Sequence, residues 1–303
     1  MTRRRFLQVD VFTARPFLGN PVAVVADADG LDAATMQAIA RWTNLSETTF
    51  LLPPTTPDAD YRVRIFSPRT ELPFAGHPSL GSAWAALESG FVAARPRLIQ
   101  ECAAGLLPVT VEGTGADRVL SVLTPSADIT DLAASDREAL RESLGCDWLD
   151  APAPAIVSLG PRWLVARVPD RRVLSGLAPA SDALVRLSQR LRMTGLVAYA
   201  VNEGDEPEAL AVRAFAPAEG IPEDPVCGSG NAAIGAVVAA RRGLSHLLPV
   251  WTASQGRELG RDGRVVVRVV DGRVLVGGPC VTVVDGYLSS HESDPSSQGS
   301  RST

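Results

Sequence analysis

Cys227-Gly228-Ser229-Gly230-Asn231 sets a thiol, a hydroxyl and an amide around two glycines, directly ahead of an Ala/Val run with helical spacing (Ala232, Ala233, Ala236, Val237, Ala240). A glycine-rich turn that feeds a helix leaves several backbone N–H groups unpaired and pointing at one spot. The helix dipole adds positive potential there. Such a place suits a carboxylate or a phosphate. The same residues also fit a plain loop-to-helix turn whose glycines serve only tight geometry. Upstream, Val212 and Phe215 read as the end of a strand, and a loop rich in proline and acid, Pro217 to Pro225, follows it.

A second copy of this arrangement lies earlier in the chain. Phe66, Pro68 and Pro73 match Phe215, Pro217 and Pro222 at one offset of 149 residues. After a short insertion Ala75-Gly76-His77 meets Cys227-Gly228-Ser229, and each copy runs into a helix of small residues, Leu80 to Leu87 and Ala232 to Ala240. A repeat spacing near half the chain predicts two similar lobes related by a pseudo-twofold, with the two helix starts facing each other across a cleft.

Three further residues have chemistry to offer. Glu47 stands where the apolar strand Thr48 to Leu52 begins. It is either a surface glutamate or a carboxylate at the mouth of a core strand, desolvated enough to serve as a general acid or base. His77 is at a predicted helix start beside Gly76, which favours a site role over a merely structural one. Asn20, in Gly19-Asn20-Pro21, reads as turn chemistry. The chain contains no lysine, so Schiff-base chemistry through lysine is closed to it. Cys102, Cys146, Cys227 and Cys280 form no C-x-x-C pair, and with the scattered His77, His246 and His291 they predict free thiols and no metal site.

The elements that must position these groups follow from pattern. Phe6 to Phe12 and Pro21 to Ala26 predict strands, and Asp32 caps a helix from Ala33 to Trp42. Tyr61 to Phe66 alternates as a strand and ends at the first loop copy. Short strands separated by glycine turns fill 101–123, and helices are predicted at Ser135 to Leu144 and Leu184 to Leu191. A Val-rich meander, Val250 to Ser254, Val265 to Val270, Val274 to Val276 and Val281 to Val284, closes the fold. The predicted domains are 1–128 and 129–288, with the last strand crossing back to the first lobe and 289–303 a disordered tail. At 303 residues with 46% hydrophobic and 21% charged content, two soluble globular domains fit. Net charge −5, with no basic run beyond Arg3-Arg4-Arg5, argues against nucleic acid or a membrane surface as partner. Without a signal-peptide core or a membrane-length apolar run, a cytoplasmic protein is expected.

Asp10-Val11-Phe12 with Pro16 to Val22, Asn44-Leu45-Ser46-Glu47-Thr48, Arg64-Ile65-Phe66 with Pro73 to Pro78, and Glu223-Asp224-Pro225-Val226 with Gly228-Ser229 resemble, in order and over residues 6–288, the PhzF-like family named for phenazine biosynthesis. That family is related in fold to diaminopimelate epimerase. The resemblance implies an α+β protein of two pseudo-symmetric lobes, each a curved, barrel-like mixed sheet around a central helix. It implies a homodimer, no cofactor, and a small carboxylate-bearing substrate in specialised metabolism. Glu47, His77 and Asp224 match the catalytic positions. Gly76-His77 and Gly228-Ser229 would hold the substrate carboxylate, with Asn20 and Cys227 also lining the substrate. Epimerase relatives use two cysteines. Here the first position is Ala75 and only the second, Cys227, is a thiol, so two-base epimerisation is disfavoured. Cys227 then reads as a helix-start residue, with a reactive thiol as the other reading. The resemblance points to an isomerase working by proton shift. A carbon–carbon hydrolase on an activated enol or keto acid, or a silent binding protein of the same fold, are the alternatives.

Overall fold

A computed structural model describes residues 1–202, 207–241 and 244–290. The chain divides into two compact units. The first comprises Met1–Phe17, Pro21–Leu120 and the chain from Cys280; the second comprises Leu18–Asn20 and Ser121–Pro279. The division falls at Leu120/Ser121, inside the strand Val119–Leu123, upstream of residue 128.

The two units repeat one pairing pattern. In the first, Asn20–Val25 runs parallel to Thr48–Leu52, and that strand is antiparallel to Tyr61–Phe66. Tyr61–Phe66 pairs antiparallel with the short Glu71–Leu72 and parallel with Arg97–Cys102, which is antiparallel to Gly105–Glu112. In the second, Arg162–Arg167 runs parallel to Gly195–Val201, and that strand is antiparallel to Leu210–Ala216. Leu210–Ala216 pairs antiparallel with the short Ile221–Asp224 and parallel with Val250–Gln255, which is antiparallel to Gly263–Val270. A helix, Gly76–Glu88 or Gly228–Ala240, follows each short strand.

Both helices are apolar all round, which marks a helix enclosed by its surroundings. Pro78 to Ala86 are buried without a break in the first, as are Gly230 to Val238 in the second. Strands from well-separated parts of each sheet, Thr2–Val11, Thr48–Leu52 and Arg97–Cys102 in the first unit, pack against its helix, so the sheet wraps around it. The approach is close: a Cβ on Gly81 would lie 2.3 Å from Val22 Cγ1. Small residues at these helix positions are what let strands approach so nearly.

An arginine–glutamate pair marks the repeat more sharply than the loop motif does. Arg64 forms a two-pronged ion pair with Glu71, and Arg213 forms one with Glu223, each arginine lying over the phenylalanine two residues on, Phe66 or Phe215. Arg64 and Arg213 stand at the same 149-residue offset as Phe66 and Phe215.

Several elements differ from the sequence expectation. The proline- and acid-rich loop contains the short strand Ile221–Asp224, and Arg171–Ser175 forms a short helix capped by Asp170. Val274 to Val276 and Val281 to Val284 are parts of one strand, Arg273–Ser290. Pro279-Cys280 marks its passage from the second unit to the first, where it pairs with Thr2–Val11. The strand takes in Ser289 and Ser290, residues expected to begin a disordered tail; 291–303, including His291, lie outside the described residues. Among the described residues no helix is long and apolar enough to cross a membrane, and no cluster of His, Cys, Asp and Glu is placed to hold a metal ion.

Candidate active site

Glu47 owes its position to the end of the helix Ala33–Thr43. Asn44 stops that helix in the left-handed conformation (φ 54°), its N–H bonded to Ala40 O, and the chain turns at once into the strand Thr48–Leu52. Asparagine is one of the few residues that adopts this conformation readily. The turn leaves Glu47 at the strand's mouth. Its side chain is 17% exposed, and Oε2 is removed from solvent without a hydrogen bond of ordinary geometry. Burial pushes the carboxyl up to about 6, against a smaller opposing effect of a hydrogen bond with Ser46. His77 Nε2 lies 3.4 Å from Glu47 Oε2, in a side chain only 10% exposed. A carboxyl of this kind, beside an imidazole, can hold or release a proton near neutral pH.

His77 is the second residue of the helix Gly76–Glu88, and Ala75 at its N-cap has no side chain to satisfy the first N–H groups. Pro78 brings no N–H, and Ser79 N–H bonds to Ala75 O. A Cβ on Gly76 would meet nothing within 4 Å, so its backbone faces open space. Beneath lies a buried polar thread. Tyr61 Oη donates to Gln100 Oε1 (3.2 Å), Gln100 Nε2 donates to Ser79 Oγ (2.9 Å), and Ser79 Oγ donates to Ala75 O (2.8 Å).

In the second unit Asp224 ends the strand Ile221–Asp224. Its Oδ1 accepts from Asn20 Nδ2 and from Val226 N–H, both at 3.1 Å, and Asn20 Nδ2 also donates to Val226 O (3.0 Å). Asn20 is therefore more than turn chemistry. It is buried and ties Leu18–Asn20 to the second unit, together with Asp262 N–H bonding to Leu18 O and Arg261 Nη1 to Gly19 O.

Cys227 is the N-cap of the helix Gly228–Ala240, its Sγ accepting from Gly230 N–H at 3.3 Å. Asn231 N–H goes to Cys227 O. The N–H groups of Gly228 and Ser229, in the first turn, have no carbonyl of their own helix to bond. Ser229 Oγ accepts from Trp163 Nε1 at 3.0 Å. Sequence leaves open a thiol acidified by the helix start, but here the opposite holds. Burial, then the charge of Asp224, raise the Cys227 thiol well above the ordinary range. A protonated, 3% exposed thiol is a cap. Native protein is therefore expected to resist iodoacetamide at Cys227 at pH 8, and Cys227→Ser to keep near-native turnover, serine being a good cap. Cys227→Ala should lose about 1 kcal/mol of stability. Rapid alkylation of Cys227, mapped by mass spectrometry, would refute the capping role.

Glu47, Gly76 and His77 thus belong to the first unit, and Asn20, Asp224, Cys227, Gly228 and Ser229 to the second. Sequence reasoning missed Gln255 and its counterpart Gln100, each a buried amide on the strand following a central helix and each bonded to that helix's fourth residue, Asn231 or Ser79. The available signal was a lone glutamine in register with the buried face of its strand, Leu98 and Cys102 beside Gln100, Trp251 and Ala253 beside Gln255.

A curved mixed sheet around a buried helix, built twice, is an α+β architecture of the epimerase-like kind. The family described as phenazine biosynthesis-like proteins (PhzC-PhzF) matches residues 9–286, and the chain belongs to it. It is 38% identical to antisense-enhancing sequence 1 of Schizosaccharomyces pombe, over 94% of this chain and 99% of that protein. It is 33% identical to trans-2,3-dihydro-3-hydroxyanthranilate isomerase of Pseudomonas aeruginosa, over 87% of this chain and 90% of that enzyme. Among solved structures, a PhzF-family protein of Bacillus anthracis matches with a TM-score of 0.83 and 26% identity, over 95% of this chain and all of that one. The chain is an enzyme of the isomerase class.

Proposed function

We propose that this isomerase moves a proton on a small unsaturated carboxylate without metal or organic cofactor, with Glu47 as the acid/base. The observation that carries this reading is the Glu47 carboxyl, desolvated to a pKa of about 6 and set 3.4 Å from His77 Nε2. A base of that strength takes a proton from an activated carbon at neutral pH and returns it elsewhere, since efficiency is greatest when the catalytic pKa lies near the working pH. His77 relays or tunes that proton. Asp224 supplies the second carboxylate of the reaction. The backbone N–H groups at each helix start, Gly76-His77 in the first unit and Gly228-Ser229 in the second, are donors suited to a carboxylate and to charge developing on it. The hydrogen bond from buried Asn20 to the half-buried Asp224 supports this assignment by fixing the direction of that carboxylate. A role in specialised metabolism and a homodimeric assembly accompany the reading, by likeness to the family.

The test is an NMR screen of small unsaturated carboxylic acids in deuterated water, trans-2,3-dihydro-3-hydroxyanthranilate included. Incorporation of solvent deuterium into a product otherwise equal in mass to its substrate is the expected result. Activity should survive dialysis against a chelator. Release of a fragment would establish carbon–carbon hydrolysis instead, and a requirement for added metal would refute the cofactor-free reading.

A further inference from the structure

We infer that Gln255 is a positioning residue: it holds the Asp224 loop and the Cys227-Gly228-Ser229 helix start in one fixed relation. The inference rests on the carboxylate-holding role proposed for Gly228 and Ser229. Gln255 is 2% exposed at the end of the strand Val250–Gln255. Its Oε1 accepts from Cys227 N–H at 3.1 Å and from Asn231 Nδ2 at 3.0 Å, and its Nε2 donates to Asp224 O at 3.0 Å. The backbone donor at Cys227 settles which end of the amide is oxygen, and the carbonyl at Asp224 settles which end is nitrogen. One planar side chain thereby spans the loop carrying the candidate catalytic carboxylate and the first turn carrying the candidate anion donors.

Two consequences follow from this bonding. Cys227 N–H is committed to Gln255, Gly230 N–H to Cys227 Sγ and Asn231 N–H to Cys227 O, so the group left to an incoming carboxylate narrows to Gly228 and Ser229. The mount for Gln255 is also itself held. Gly256 follows in the left-handed region (φ 94°), where a Cβ would lie 2.4 Å from Pro225 O, so the turn presses directly against the Pro225-Val226 peptide that follows Asp224. Arg261 N–H bonds back to Gly256 O, and Arg261 Nη1 reaches Gly19 O, next to the Asn20 that bonds Asp224. Asp224, Asn20, the 256–261 turn and Gln255 close a ring of contacts around the helix start. Buried polar groups that are satisfied in this way specify one arrangement.

The experiment follows the backbone amide resonances of Gly228 and Ser229 in full-length protein, with benzoate as an inert carboxylate probe. Gln255→Met keeps the size and removes all three bonds. It is expected to shift both resonances without ligand and to weaken benzoate binding between about 10-fold and 10²-fold, as misplacements on the order of 1 Å do. Leu184→Ala, a core truncation on the helix Ser181–Leu191, should lower the melting temperature and leave benzoate affinity unchanged. Gln255→Glu supplies a readout that a purely structural residue would not move. The neutral acid can donate to Asp224 O while accepting from Cys227 N–H, and the ionised form cannot. Benzoate affinity in this variant should match wild type at low pH and fall as pH rises, relative to wild type at each pH. Unshifted amide resonances in Gln255→Met, or a benzoate loss no greater than in Leu184→Ala, would overturn the inference. If benzoate moves neither amide in wild type, the proposed carboxylate cradle fails instead, and the ligand-free resonances still decide the role of Gln255.

Discussion

Glu47→Gln is expected to lower turnover by roughly 10²–10⁴, the range typical of removing a general acid or base. Glutamine keeps the size and leaves His77 in place, so the loss should fall on kcat and on solvent-deuterium incorporation, with binding retained. The pH dependence has a definite sign. The working base is the carboxylate, and burial lifts this carboxyl to about 6, so kcat/KM in wild type should rise through that value and level off above it. Stability moves the other way. A carboxyl whose folded pKa exceeds its unfolded value of 4.5 favours folding while protonated, and that contribution is lost as pH rises through about 6. Glu47→Gln removes the cost of an ionised, desolvated carboxylate. It should therefore be more stable than wild type above pH 6, by about 2 kcal/mol, and no more stable below about pH 4.5. Melting curves from pH 4 to 8 test the linkage. A variant that turns over normally, or a gain in stability confined to acid, would dismiss Glu47 as the desolvated base.

Arg213→Met is expected to be the costliest single change to stability, at about 3–5 kcal/mol, whereas Arg64→Met, its counterpart in the repeat, costs about 1 kcal/mol or less. The two arginines make the same two-pronged contact with a glutamate, and the difference lies in their surroundings. The Arg213 and Glu223 side chains are 8% and 11% exposed, against 27% and 38% for Arg64 and Glu71. Removing Arg213 strands the Glu223 carboxylate where water reaches it poorly. It also frees the carbonyls of Leu174 and Leu177, which Arg213 Nη1 caps at the end of the short helix Arg171–Ser175. Removing Arg64 leaves Glu71 to water. The melting temperature of Arg213→Met should fall by on the order of 10 °C. Equal losses in the two variants would show that burial does not govern these pairs.

Much of the candidate site was legible because its signals are local. A glycine next to a helix of small residues is readable over a dozen positions, since both turn geometry and helix burial are written in near neighbours. The repeat was legible for the same reason: Phe66 and Phe215 each end a strand, and each leads into such a helix start. The alternating pattern of Tyr61 to Phe66 placed a strand correctly, while the continuous apolar runs of the last meander hid that Arg273–Ser290 is one strand. Gly277-Gly278-Pro279 reads as a turn between two runs, yet neither it nor the change of unit interrupts the strand.

By itself the sequence determined the family, the two helix starts, the absence of lysine chemistry and the identity of Glu47 and His77 as candidates. These depend on residue type and on short-range spacing. Only the tertiary structure decided that Glu47 is desolvated and beside His77, 30 positions away in sequence. Only it decided that Asn20 serves the second unit through Asp224, that Gln255 holds the Cys227 turn, and that Arg213 is sealed in while Arg64 is not. Each of those facts is a meeting of groups from distant stretches of chain. Desolvation and hydrogen-bond partnership are properties of the place where such stretches converge, which no one of them contains.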